Sequence, residues 1–290
     1  MLHELNIDIL NYLTYHFLSF KIIINLSNSN KHLYENIFII NLYDININYS
    51  KKLTDNILTH ERYKNVRYLK CLRESKITNV NHLSKLEILR AKNNCGINDD
   101  VIININLKKL NVAGNSLITT VNHMSKLEKL NASFSCGIDN EGIININLKK
   151  LNARSNFYIS NVNHMSRLEI LNAKFYSGID DYGIKNLNLK KLYACGNHKI
   201  TNIKHMSKLK ELHIASGSSG INNNMIKNVN LKKLVVRHNY NITNVNHMSR
   251  LEKLDARGQC GIDDNGIKNI YLKKLKITGN NKITCMALIL

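Results

Sequence analysis

Leucine returns along this chain in a fixed frame. With Leu86 as the first residue of a unit, new units begin at Leu107, Leu127, Leu148, Leu168, Leu189, Leu209, Leu231, Leu251 and Leu272. The fourth residue of each unit is also Leu (89, 110, 130, 151, 171, 192, 212, 234, 254 and 275), and the sixth is Ala, Val or Ile. Most residues at positions two, three and five are polar. An L-x-x-L-x-Φ frame predicts one short strand per unit, with its fourth and sixth side chains inward and its third facing out. The frame continues upstream from Val66, and more loosely from Leu42.

The units come in pairs. Segments such as HMSKLEKLNASFSCGI begin at His82, His123, His164, His205 and His247, so the full period is 41 residues, with one step of 42. A period of this length marks stacked supersecondary units. One coil cannot bury its own leucines. Each Leu withdrawn from water contributes about 1.5–3 kcal/mol, and stacking is what withdraws it.

The frame resembles the leucine-rich repeat, whose units run about 20–29 residues and supply one strand each. The first member of each pair resembles the cysteine-containing repeats of F-box proteins, with Ile262, Asp263, Asp264, Gly266 and Ile267 on their I-T-D-x-G-L motif. The second carries Asn at position nine (Asn115, Asn156, Asn197, Asn239, Asn280). In the leucine-rich repeat such an Asn satisfies the backbone turning out of the strand. Gly137, Gly178 and Gly261 are read as serving the tight turn after the strand. The resemblance implies an α/β solenoid over residues 42–285, a curved right-handed β-α superhelix with parallel strands on its concave face. Residues 286–290 form a C-terminal tail.

Residues 1–41 lie outside the period. Leu5, Ile9, Leu10, Leu13, Phe17 and Phe20 follow helical spacing. Ile22–Ile24 and Leu26 form a second apolar cluster, and Asn28, Ser29 or Asn30 is placed to cap a short helix over 31–37. Two readings stand. A solenoid needs a polar-backed cap at each end, and these helices would supply one. The segment also resembles the F-box, and by that resemblance Leu5, Ile9, Leu10 and Leu13 would dock the small adaptor subunit of a cullin-type, SCF-like ubiquitin ligase, leaving the concave face to select its target. The Asn-, Ile- and Lys-rich composition resembles F-box and repeat proteins of giant DNA viruses.

Charge adds a candidate surface. The formal net charge is +20, from 41 Lys and Arg against 21 Asp and Glu. Such a balance favours anionic partners. Position three reads Ile88, Lys109, Lys129, Lys150, Ile170, Lys191, Glu211, Lys233, Lys253, Lys274, a positive stripe joined by Arg154, Tyr193 and Arg237 from positions five and seven. The expected partner is an acidic protein, with a polyanion such as nucleic acid as the alternative and a plain interaction scaffold as the bland reading. Aromatic residues are thin along the stripe itself, which disfavours base stacking there. At position two Glu and Lys alternate (Glu87, Lys108, Glu128, Lys149, Glu169, Lys190), a register device between coils.

No cofactor, metal or catalytic set is expected. The recurring histidines stand two coils, about 10 Å, apart, too far to share one ion. Cysteine at one repeat position is replaced by Ser177 in another coil, which argues against a disulfide framework. The first residues carry no basic leader and no apolar run reaches about 18 residues, so the expectation is an intracellular, cytoplasmic, non-enzymatic protein that does not enter a membrane.

Overall fold

The computed structural model describes residues 6–284 apart from 17, 44, 46, 74, 218 and 219. Leu5 and Phe17 of the predicted first helix, and the tail 286–290, lie outside the described residues. The chain divides into two units, one of residues 1–131 with 135–146 and one of residues 132–134 with 147–290.

The first unit opens with helices α1 (Ile7–His16), α2 (Phe20–Ser29) and α3 (Lys31–Asn36). Of the three candidate caps it is Asn30 that caps α3, its Oδ1 accepting the Leu33 N–H at 3.1 Å. The helices pack against the first coil through Arg62. That side chain, 5 % exposed, donates to Ser27 Oγ at 2.7 Å and lies 4.2 Å over the Tyr34 ring. Five strands follow: β1 (Asn41–Leu42), β2 (Tyr68–Cys71), β3 (Ile88–Ala91), β4 (Lys109–Asn111) and β5 (Lys129–Asn131). Each pairs in parallel with the next. The second unit holds β6 (Lys150–Asn152), β7 (Ile170–Asn172), β8 (Lys191–Tyr193), β9 (Glu211–His213), β10 (Lys233–Val235), β11 (Lys253–Asp255) and β12 (Lys274–Lys276), again parallel and in sequence order. Partners stand in the register set by the leucines, Leu151 against Leu171 and Leu192 against Leu212. Those leucines and the sixth residues, such as Ala153, Ala173 and Ala194, are fully buried. This is the leucine-rich-repeat solenoid fold.

The paired period has a physical cause: the two kinds of coil grip their predecessors differently. The second kind reaches back with its ninth residue. Asn197 Nδ2 donates to the Ala173 and Ile179 carbonyls at 2.9 and 3.0 Å, and its Oδ1 accepts the Lys199 N–H at 2.9 Å. Asn115 and Asn280 repeat the pattern. The first kind closes up by having no side chain. A Cβ at Gly137 would stand 2.5 Å from the Ser116 carbonyl oxygen, and one at Gly178 or Gly261 would overlap the carbonyl of Phe157 or Tyr240. None of these three has a positive φ. Close approach, and not turn conformation, is what requires glycine there. The sequence-based reading of these glycines is corrected accordingly.

Position eight is where the chain does need a left-handed residue. Asn93, Gly114, Phe134, Ser155, Phe175, Gly196, Ser216, His238, Gly258 and Gly279 all have positive φ. The turned N–H donates to the seventh-residue carbonyl of the following coil, as from Phe175 to Cys195 at 2.8 Å and from His238 to Arg257 at 3.0 Å.

The alternating charges of position two meet as expected. Glu87 pairs with Arg67 at 2.8 Å and Lys108 at 2.9 Å, and Glu169 with Lys190 at 2.5 Å. The recurring histidines point Nε2 at a backbone carbonyl of the preceding coil, His123 at Ile102 (3.0 Å) and His247 at Ile226 (2.9 Å).

Candidate binding face

The solvent face of the strands is built by positions three and five. In the first unit Lys109 and Lys129 stand side by side in paired register, both exposed. In the second unit the row runs Lys150, Ile170, Lys191, Glu211, Lys233, Lys253, Lys274. It is not uniformly positive. Strand pairing puts Glu211 between Lys191 and Lys233, and both reach it, at 3.0 and 2.7 Å. His213 Nε2 lies 2.8 Å from the same carboxylate. Tyr193 stacks on His213 with ring centroids 4.6 Å apart, so it too belongs to this cluster. Arg237 is drawn to Asp255 at 2.8 Å, as is Arg257 from position seven of the next coil. Three of the predicted stripe cations therefore serve acids of the same face, because those acids are their nearest strand neighbours.

Burial raises the Glu211 pKa, but the bonds from Lys233, Lys191 and His213 outweigh it and hold the carboxyl at about 2. A carboxylate with a depressed folded pKa adds stability above its unfolded value, near 4.5, and loses it as pH falls towards about 2. Glu211→Gln is expected to cost roughly 1–3 kcal/mol at pH 7, since the pairs are only partly desolvated. Thermal melts of both proteins from pH 7 to pH ~2 check this. The gap should narrow through the window between the two pKa values.

Beyond Glu211 the positive charge is open. A depression of about 330 Å³ is lined by His213, Lys233, Arg237, Lys253, Lys274, Lys276 and Asp255 together with apolar strand residues. Lys253, Lys274 and Lys276 have no ion-pair partner among the described residues, and all three are exposed.

Arg154, at position seven like Arg237, meets aromatic rings where Arg237 meets a carboxylate. Its guanidinium is 5.3 Å from the Phe134 ring centroid and 4.7 Å from that of Phe175. Those rings belong to coils two steps, about 10 Å, apart, so the guanidinium sits between them. Each contact is worth about 0.5–2 kcal/mol by ring quadrupole attraction. Sequence reasoning counted few aromatics because it followed the strand positions. The turn just beyond the strands carries Phe134, Phe157, Tyr158, Phe175 and Tyr176, exposed by 40 to 81 %.

Of the residues read as F-box-like contacts, Leu10 is 0 % exposed and Leu13 is half-buried. Among the described side chains of α1, Ile9 and Tyr12, 49 and 58 % exposed, are the large apolar ones open to solvent.

Among the described residues no trio of His, Cys, Asp or Glu gathers to hold a metal, and no helix is long and apolar enough to cross a membrane. The chain matches no family model and none of the curated proteins compared with it. Among solved structures it is similar to the internalin InlF of Listeria monocytogenes, with 18 % identity over 82 % of this chain and 69 % of that one and a TM-score of 0.45. The functional domain of InlJ from Listeria monocytogenes, which includes a cysteine ladder, gives 18 % identity over 77 % of this chain and a TM-score of 0.40. TLR13 in its complex with ssRNA13 gives 14 % identity over 83 % and 0.40. The chain spans 46 % and 44 % of the length of the latter two. The fold assignment rests on the buried leucines, the parallel strand register and the asparagine ladder.

Proposed function

We propose that this protein is a non-enzymatic protein-interaction module, and that the solvent face of β10–β12 holds an acidic segment of a partner protein. One observation carries the reading. Lys253, Lys274 and Lys276 line one depression with no carboxylate of their own, while Asp255 in the same depression is already shared by two arginines. Lys274 and Lys276 stand two residues apart on one strand, about 6.8 Å, the same repeat as like-facing acidic side chains of an extended chain, and Lys253 lies one strand away, about 4.8 Å.

A second reading is the substrate-recognition adaptor of a cullin-type ubiquitin ligase, with the N-terminal helices as the docking element. Exposed Ile9 and Tyr12 on α1, with Ile22 on α2 and Tyr34 on α3, favour it. Both readings are tested on the full chain. Labelled polyglutamate should bind, and Lys253→Glu with Lys274→Glu should weaken it by roughly tenfold or more. The purified small adaptor of the cullin ligase should bind through α1 and lose affinity on Ile9→Asp with Tyr12→Asp, while polyglutamate binding persists. Failure of the adaptor to bind leaves α1–α3 as a cap only. Binding of oligothymidylate in preference to polyglutamate, with affinity falling steeply in salt, would replace the protein partner by a polyanion.

A further inference from the structure

Position eight has to be left-handed in every coil from β3 onward, and most coils fill it with Gly, Asn, Ser or His. Phe134 (φ 63°) and Phe175 (φ 58°) do not fit that pattern. A bulky residue in this region is strained, and such strain persists where the surroundings or a function hold it. Burial does not explain it, since the two rings remain 45 and 40 % exposed. What the rings do together is grip Arg154.

Arg154 itself is incomplete. Its Nε is buried with no hydrogen-bond partner, and its guanidinium has no ion pair among the described residues. The same molecule shows what a position-seven arginine takes when one is offered. Arg257 donates from Nε and Nη2 to Asp255 at 2.8 and 2.9 Å, and Arg237 donates to the same carboxylate. Beside Arg154 the fifth positions are Asn152 and Asn172, so the carboxylate is missing from its place.

We propose that Arg154, held between Phe134 and Phe175, is the anchor for an aspartate or glutamate side chain of a partner protein, presented on an extended segment with apolar neighbours. This rests on the interaction-module reading and deepens it with a second, chemically distinct contact. A guanidinium fixed by two rings has little freedom left to lose, and its paired Nη groups, beyond the buried Nε, match a carboxylate better than a flexible ammonium does. The exposed Phe157, Tyr158 and Tyr176 supply apolar surface for the flanking residues. A nucleic-acid backbone needs an unbroken row of cations, whereas Lys150 and Lys174, the cations flanking Arg154, are interrupted by Asn152, Ile170 and Asn172.

The test uses the full chain and a labelled peptide of repeated Glu-Phe-Gly, with Gln-Phe-Gly and oligouridylate as comparators. The Glu peptide should bind roughly tenfold or more tightly than the Gln peptide, and Arg154→Lys should lose about that factor. Phe175→Gly should lose the peptide as well, yet melt at the same or a higher temperature, because glycine accepts the left-handed turn. Lys253→Glu with Lys274→Glu should leave this peptide within about twofold, since those sites are independent. The proposal is overturned if Arg154→Lys binds like the parent, if Phe175→Gly melts lower, or if Arg154 is needed for oligouridylate and not for the peptide. If polyglutamate still binds through Lys253 and Lys274 while Glu-Phe-Gly does not bind, this inference fails and the interaction-module reading stands. Failure of both ligands removes both.

Discussion

Gly183→Ala is expected to destabilise the second unit by about 3 kcal/mol or more, a cost rare for one added methyl group. The Cβ built at Gly183 falls onto the Ser160 carbonyl oxygen of the preceding coil. That oxygen cannot retreat cheaply, because the Val162 N–H two residues on donates to the Gly183 carbonyl at 3.0 Å and ties the two coils together. Gly266 repeats the arrangement, with Thr243 as the overlapped carbonyl and Val245 as the donor at 2.9 Å. Gly196→Ala is the control. Its φ is +68° and its new methyl group would meet the edge of the Phe175 ring at 3.1 Å, a flexible side chain, so about 1 kcal/mol is expected. Urea denaturation of the parent and both variants, compared at equal m-values, measures the two costs. Equal losses for Gly183 and Gly196 would mean that backbone conformation, and not coil-to-coil contact, fixes these glycines.

The contrast shows which parts of the molecule the sequence made legible. The leucine frame gave the strands, their parallel order and their register, because burial of positions one, four and six leaves a coil no alternative facing. The charge alternation of position two was equally readable, since strand spacing alone decides which residues meet. The role of Gly183 was not. A glycine column in an alignment of repeats looks the same whether it serves a positive φ or a missing Cβ, and only the position of Ser160 separates them. The candidate face was half legible. Lys253 and Lys274 are exposed, but Lys191 and Lys233 turn to Glu211, a consequence of one acid placed between two lysines in the row. Arg154 shares position seven with Arg237, and the repeat frame alone does not show that its neighbours are rings and not an acid. The clue was available: position eight carries Gly, Asn or His in six of the ten coils, which marks a left-handed turn, and Phe134 and Phe175 break that rule.

Asn197→Ala should remove about 4 kcal/mol, more than loss of a leucine methyl group, because two buried backbone carbonyls and one part-buried N–H depend on one side chain. The carbonyls of Ala173 and Ile179 lose their donor and the Lys199 N–H loses its acceptor, at about 1–3 kcal/mol for each group left without a partner. Asn197 is 1 % exposed, so water does not replace the amide without opening the coil. Asn197→Asp separates the two halves of the role. Its carboxylate keeps an acceptor for Lys199 but turns a negative charge on two carbonyl oxygens, so at pH 7 it should be less stable than the alanine variant. Protonation restores one O–H donor. The folded pKa of that aspartate is therefore raised, and the stability it contributes is present at low pH and lost as pH rises through the raised value. Melting temperatures of the parent, Asn197→Ala and Asn197→Asp between pH 4 and pH ~8 decide it. The expected result is an aspartate variant that overtakes the alanine one as pH falls. Parallel curves for the two variants would mean that the amide acts by filling space, and that the bonds it makes between coils contribute little.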